Sequence, residues 1–241
     1  MFLLKENEKL EDLQINNLKI IQSKYGYRFT SDAVILANIA RALPGQKVVD
    51  LGSGSGVISI LMAAKTKAAK IVGVEIQKRL ADMAKRSVEY NKLTERIEII
   101  NKPMQNIHKI IGGSFDVVVS NPPYETDLSK DLMDEQSICR RELKVTLEEV
   151  IISAEKLLKF GGNFFMINKV TRLADTIYFL KYKNLEPKKL TMIYPKASKG
   201  ADTFIIEAKK GSKPSMIVSK PFILYNEDGT MTESIRRIYG K

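Results

Sequence analysis

An α/β fold, a mostly parallel sheet flanked by helices, is predicted by three observations. Short runs of aliphatic and β-branched residues recur along the chain, and segments with helical spacing fall between them. The first run, Val48-Val49-Asp50-Leu51, ends in Gly52-Ser53-Gly54-Ser55-Gly56 and passes directly into an apolar helical segment. Strand, glycine turn and helix in that order form the opening unit of such a sheet, and continued alternation keeps its strands parallel.

The elements follow in order. After a polar lead-in, Val48 to Leu51 is the first strand, and Val57 to Ala64 is the helix beyond the turn. Lys70 to Glu75 is the second strand, and Lys78 to Asn91 a helix with Leu80, Met83, Ala84 and Val88 at helical spacing. Arg96 to Ile100 and Phe115 to Ser120 are the third and fourth strands. A polar stretch from Glu125 to Arg141 precedes a helix from Thr146 to Lys159, which opens on a capping-box pattern from Thr146 to Glu149. Gly161-Gly162 is expected to close that helix. Asn163 to Asn168 is the fifth strand and Arg172 to Tyr182 a helix; Lys189 to Tyr194 and Thr203 to Ala208 complete seven strands, with an antiparallel closing strand. The tail beyond Gly211 is turn material around one short strand, Ser215 to Val218. The expectation is a single catalytic domain: lead-in 1–30, core 31–210 and extension 211–241.

Composition narrows the function. Lys and Arg number 39 against 28 Asp and Glu, a formal charge of +11, which favours a polyanionic partner, nucleic acid first. Cys139 is the only cysteine, so no intrachain disulfide forms, and the cytoplasm is the expected compartment. Glu6, Glu8, Glu11 and Asp12 rule against a secretory or transit leader, and the apolar run Val57 to Ala64 is too short to span a bilayer, so no membrane association is expected. With His108 the only histidine, no structural metal is expected.

In an open parallel sheet ligands settle beyond the carboxyl ends of the strands, which places the turn from Gly52 to Gly56, Glu75, Asn101 and Asn121 along one rim. Glycines let the turn approach a ligand closely, and an acidic residue ending the second strand can accept from both hydroxyls of a ribose. Glu75 suits that role. The Gly-x-Gly-x-Gly spacing departs from the Gly-x-Gly-x-x-Gly that cradles a pyrophosphate, which favours a cofactor without phosphates. After the fourth strand stands Asn121-Pro122-Pro123-Tyr124: an amide oxygen, a rigid corner and an aromatic ring suited to clamping a planar amine.

Val49-Asp50-Leu51-Gly52-Ser53-Gly54-Ser55-Gly56 together with Asn121-Pro122-Pro123-Tyr124 resembles the class I S-adenosylmethionine-dependent methyltransferases that act on amino groups, enzymes with a Rossmann-like sheet. Tyr27 to Ala37 before the first strand, and Cys139-Arg140-Arg141-Glu142-Leu143 followed by Thr146-Leu147-Glu148-Glu149, resemble the bacterial tRNA1(Val) adenine-N6-methyltransferase family. The resemblance covers roughly residues 15 to 210. It implies S-adenosylmethionine as cofactor, a segment containing Phe29, Thr30 and Asp32 closing over its methionine end, Asp50 with Gly52, Ser53, Gly54 and Gly56 lining it, and Glu75 holding the ribose. Relatives often carry an acid after the third strand to bind the adenine amino group. Here Asn101-Lys102-Pro103-Met104 stands instead, so Asn101 or the Met104 backbone is the candidate, with a turn residue closing the strand as the equal alternative for Asn101. Ile76 either packs on the adenine face or serves only as core.

The expected acceptor is an adenine N6 in RNA, with a tRNA anticodon loop implied by the family. Asn121 Oδ1 and the Pro122 carbonyl would each accept one amino hydrogen, Pro123 would stiffen the corner, and Tyr124 would stack on the base. Arg140, Arg141, Lys144, Arg172, Lys196 and Lys199 are the proposed phosphate contacts, each also readable as a solvated surface charge. The main alternative is a glutamine-N5 protein methyltransferase, whose carboxamide presents a similar amine; only 49 residues precede Asp50 here, too few for the helical substrate domain that reading implies. Guanine-N2 methylation of rRNA, DNA adenine methylation and a non-catalytic RNA chaperone remain as further readings, and the protein is expected to be a monomer or a homodimer.

Overall fold

The computed structural model describes residues 4–25, 30–122 and 145–239. Elements are numbered in chain order. From one edge the sheet runs β5 (Ile97–Ile100), β4 (Lys70–Val74), β3 (Lys47–Leu51), β6 (Phe115–Ser120), β7 (Leu158–Lys169), β9 (Thr203–Lys210) and β8 (Leu185–Tyr194). The five strands from β5 to β7 are parallel, and β9 is antiparallel to both of its neighbours. The chain leaves β3 toward one edge through β4 and β5, then returns to β6 on the other side. The switch point of the sheet therefore lies between β3 and β6.

Both faces of the sheet are covered, which explains why the strands read as continuous apolar runs. Val48, Ile71, Val117 and Val119 face a cluster with α1 (Ser31–Ile39), α2 (Val57–Lys65) and α3 (Lys78–Tyr90). Val49, Leu51, Val72, Val74 and Val118 face the opposite cluster, built with α5 (Leu147–Leu157) and α6 (Leu173–Tyr182). Alternate residues of one strand thus feed the two layers, as the two-residue period requires. A short helix, α4 (His108–Ile111), precedes β6, and α7 (Glu233–Ile238) ends the described chain with Ile235 and Ile238 buried against the first cluster. Among the described residues no helix is long and apolar enough to cross a membrane.

Three local expectations are corrected. The pair Gly161-Gly162 does not end the helix: α5 stops at Leu157, Leu158 is extended (φ −74°, ψ 136°), and both glycines lie inside β7. A Cβ on Gly162 would sit 3.0 Å from the Lys159 carbonyl and 3.1 Å from that of Asp116, so the glycine serves close strand approach where the β6–β7 register shifts. The tail strand is two residues, β10 (Ile217–Val218), and with β11 (Phe222–Ile223) it extends the seven principal strands by pairing with β8. The lead-in, for its part, holds an antiparallel hairpin, β1 (Glu8–Asp12) and β2 (Lys19–Ser23).

That hairpin is pinned to α3 by polar contacts. The Ile21 N–H donates to Ser87 Oγ at 2.9 Å, and Asn91 exchanges hydrogen bonds with the Lys19 backbone. Arg86 grips Glu8 with two parallel 2.7 Å bonds and reaches Asp82 at 2.7 Å. Its guanidinium holds the Glu8 carboxyl below the usual carboxylate range. Because the Glu8 side chain is only 8% exposed, Arg86→Leu leaves a shielded carboxylate short of its partner and is expected to cost about 2 kcal/mol at pH 7. A lowered native pKa means stability that is present above the unfolded pKa and lost as pH falls through the folded one. Urea unfolding should therefore show the gap between wild type and variant narrowing below pH 4.5; a gap independent of acid would remove the ion pair from the explanation.

Candidate active site at the strand ends

Four neighbouring parallel strands, β5, β4, β3 and β6, end at Asn101, Glu75, Gly52 and Asn121 respectively, so the sheet brings the four sequence segments to one rim. Hydrogen bonds stitch these ends together. The Gly52 and Ser53 N–H groups donate to the Val74 carbonyl at 2.9 and 3.0 Å, tying the glycine turn to β4. Asn101 Nδ2 donates to the carbonyls of Glu75 and Ile76 at 2.8 and 2.9 Å, tying β5 to β4. Ser120 Oγ, fully buried, donates to the Leu51 carbonyl at 2.9 Å, and so fixes the residue before Asn121 against the residue before the glycine turn.

The turn is held in its conformation by carboxylates. Gly52, Gly54 and Gly56 all have left-handed φ (73°, 56° and 89°), which is why no bulkier residue occupies these places. Glu75 Oε2 accepts the Gly54 N–H at 2.9 Å and Oε1 accepts the Gln77 N–H at 2.8 Å. Two carboxylate oxygens fixed in this way present acceptors side by side, the complement of a vicinal diol. Burial raises the Glu75 pKa, with the backbone donors opposing that shift. Asp50 lies beneath the turn with no solvent exposure; its Oδ2 accepts from the Ser59 N–H at 3.1 Å and from Ser59 Oγ at 2.7 Å, locking the start of α2 to the end of β3. Burial pushes its pKa up to about 7, the Ser59 bonds acting against that and the Glu75 charge adding to it.

A family model, the methyltransferase small domain, matches residues 30–181. The chain belongs to this family. It is a methyltransferase, and its sheet is that of the class I enzymes. A tRNA1(Val) (adenine(37)-N6)-methyltransferase of Dyadobacter fermentans is 24% identical over 212 residues, 86% of each chain. A protein of the same name from Phocaeicola vulgatus is 33% identical over 138 residues, 57% of each. Among solved structures, a predicted O-methyltransferase from Agrobacterium tumefaciens superposes with a TM-score of 0.71 at 22% identity, covering 87% of this chain and 95% of its own. The AdoMet complex of TYW2 from M. jannaschii superposes with a TM-score of 0.59 at 13% identity, covering 87% and 88%. At these identities the structural likenesses establish the fold.

The methyltransferase site fits S-adenosylmethionine on two orphaned atoms. Asp50 Oδ1 and Ser53 Oγ are buried without a hydrogen-bond partner among the described residues. A buried acceptor in that state is costly until a donor arrives, and the cofactor carries an ammonium and hydroxyls. Other proposed residues are placed as follows. Met104 is buried, its Cε 3.8 Å from where a Cβ on Gly52 would lie, so it packs under the turn. The Asn101 amide nitrogen is committed to closing the strand ends, which supports the turn-residue alternative; Ile76 is half-buried beside it. Thr30 is the N-cap of α1 and Asp32 lies in its first turn, on the helix that packs along α2. Pro122 is buried and Asn121 half-buried. Phe29, Pro123, Tyr124, Arg140, Arg141 and Lys144, with the stretch from Glu125 to Arg141, lie outside the described residues.

The remaining basic residues share the rim by topology. Arg172 follows β7 at its carboxyl end, while Lys196 and Lys199 follow β8, whose direction matches that of β7. Two of them are engaged: Arg172 Nε pairs with Asp175 at 3.1 Å, and Lys196 Nζ donates to the Glu227 carbonyl at 3.0 Å. The loop between β8 and β9 is held by Ser198, which donates to the Glu227 carboxylate from both N–H and Oγ. Sequence reasoning missed Gln22, a fully buried residue of β2 whose amide donates to Ser55 Oγ and braces the glycine turn from the lead-in. Its only sequence signal is a polar residue amid the apolar run of β2, Lys19–Ser23.

Proposed function

We propose that the protein transfers the methyl group of S-adenosylmethionine to the N6 amino group of an adenine in RNA, in the cytoplasm, with a tRNA anticodon-loop adenosine as substrate. The observation that carries this reading is the Ser120–Leu51 bond, which holds Asn121 at the carboxyl end of β6 beside the glycine turn on β3. The relatives named for tRNA1(Val) adenine-37 methylation support the choice of base and RNA.

When bound, S-adenosylmethionine supplies an electrophilic methyl carbon and leaves as a neutral thioether. The residues here position and polarise. Glu75 offers two acceptor lone pairs to ribose hydroxyls, and Asp50 and Ser53 offer acceptors to the cofactor's donors. An adenine amine is a poor nucleophile because its lone pair is delocalised into the ring. Asn121 Oδ1 and the Pro122 carbonyl, each accepting one amino hydrogen, draw the nitrogen toward tetrahedral geometry and free that lone pair. With the cofactor bound, the N–C bond would form as the S–C bond breaks, and the surplus proton would leave the nitrogen afterwards to solvent. No strong base is required. The acceptor must first be unstacked, which costs least in a single-stranded loop.

Affinity for RNA is expected to fall steeply with salt, by about 0.7 to 0.9 logarithmic units per tenfold rise for each phosphate neutralised. Filter binding of unmodified tRNA between low and moderate salt checks this. A flat response would point to a protein acceptor instead.

A further inference from the structure

The edge of the sheet opposite the catalytic rim carries a cleft of about 480 Å³ lined by Phe160, Lys188, Lys209, Lys210, Lys213 and Ser215 together with the Gly211 turn. No acidic residue lines it among the described residues. Lys188 and Lys210 have their ammonium groups engaged: the first donates to the Lys213 carbonyl and to Ser215 Oγ, the second to the carbonyls of Glu155 and Leu158 and to the Glu155 carboxylate. Lys209 and Lys213 form no ion pair among the described residues. Phe160 is 79% exposed, which a solitary apolar ring does not need to be. The ring lies against Gly211, at φ +66°, where a Cβ would collide with its edge.

A main-chain hydrogen bond links this cleft to a second aromatic surface. The Gly211 N–H donates to the Asn184 carbonyl at 3.1 Å, joining the turn to the end of α6. There Lys183 Nζ stands 4.6 Å from the centroid of Tyr182 and also pairs with Glu148, and Tyr182 stacks on Tyr178 with centroids 6.0 Å apart and planes 4° apart. The two tyrosines are 67% and 62% exposed. Three open rings interleaved with lysines have the composition of a stacking platform for single-stranded nucleic acid, in which bases lie on rings and phosphates on ammonium groups.

We propose that this edge is a second RNA-binding site, which grips the substrate RNA outside the loop that enters the rim. The proposal rests on the RNA reading above. Lys209 pairs with Asn163 at one end of the β7–β9 ladder and Thr203 with Lys169 at the other, so the platform stands about 20 Å of strand away from the rim. Over that distance a stem-loop held at the rim offers only its paired stem, whereas a whole tRNA also carries unpaired loops whose bases can lie on the rings.

The test compares full-length protein with Phe160→Ala/Lys209→Gln/Lys213→Gln, and with Lys209→Gln/Lys213→Gln, which keeps the ring and alters only exposed or half-exposed charges. Unmodified whole tRNA and an isolated anticodon stem-loop serve as substrates. For whole tRNA the triple variant should raise KM about tenfold with kcat unchanged, and either variant should reduce the slope of log affinity against log salt by about 2. For the stem-loop nothing should change. Unaltered KM and slope with whole tRNA would overturn the second site while leaving the RNA reading intact. Equal losses on the stem-loop would overturn its separation from the rim. A wild-type protein that neither binds nor methylates tRNA would remove the RNA reading and the second site together.

Discussion

Asn121→Ala is expected to lower turnover by two or more powers of ten while leaving S-adenosylmethionine affinity within about twofold. Asn121 stands at the carboxyl end of β6, outside the contacts that hold the glycine turn, which run through Val74, Glu75, Gln22 and Asp50 instead. Truncating it removes an acceptor for the amine without loosening the turn. An interaction made chiefly with the reacting amine should lower kcat more than it raises KM. Single-turnover methylation with equilibrium dialysis of the cofactor reads both quantities. Near-normal turnover would take Asn121 out of the chemistry. A parallel loss of cofactor affinity would make it part of the cofactor site.

Asp50 provides the second large effect, in the cofactor-free protein. Its native pKa of about 7 stands above its unfolded value, so the folded state retains a proton that the unfolded state releases. Stability from this group is fully present below the unfolded pKa, near 3.8, and is lost as pH rises through 7. The swing is on the order of 4 kcal/mol. Asp50→Asn, which cannot titrate, should flatten the pH dependence between 5 and 8 and be relatively more stable at the alkaline end. Thermal unfolding of both proteins across that range checks it. Parallel curves would show that Asp50 does not hold its proton in the native state. Since Glu8 contributes in the opposite sense and below pH 4.5, the two effects separate on the pH axis. The same burial argues that the cofactor's ammonium ionises Asp50 on binding, so its affinity should rise with pH until about 7.

What the sequence made legible follows from how local each signal is. The strands β3, β4, β5 and β6 were readable to within a residue at either end, because both sheet faces are covered and each strand is a short apolar run between polar residues. The start of α5 was equally plain: the Thr146 side chain accepts the Glu149 N–H and the Glu149 carboxylate accepts the Thr146 N–H, a pattern complete within four residues. Placing the four ligand-binding segments on one rim needed only the rule that such segments sit at the carboxyl ends of parallel strands.

The bonds that set the site's geometry were not legible. Ser120 to Leu51, Gln22 to Ser55 and Asn101 to the Glu75 carbonyl join residues brought together only by the folded sheet. The β1–β2 hairpin escaped because Glu8–Asp12, a run of mostly charged residues, has no apolar alternation; its pairing is secured by Arg86 and Asn91 on a distant helix. The Gly161-Gly162 pair misled for a similar reason. A glycine pair commonly stops a helix, but here the close passage of β7 over the Asp116 carbonyl requires it.

The most direct test of the central claim is methyl transfer from labelled S-adenosylmethionine to unmodified total tRNA, run beside a protein extract and followed by nucleoside analysis of the products. N6-methyladenosine in a tRNA is the result expected of Asn121 acting on an adenine amine. Label confined to protein, or label in neither pool, would contradict it.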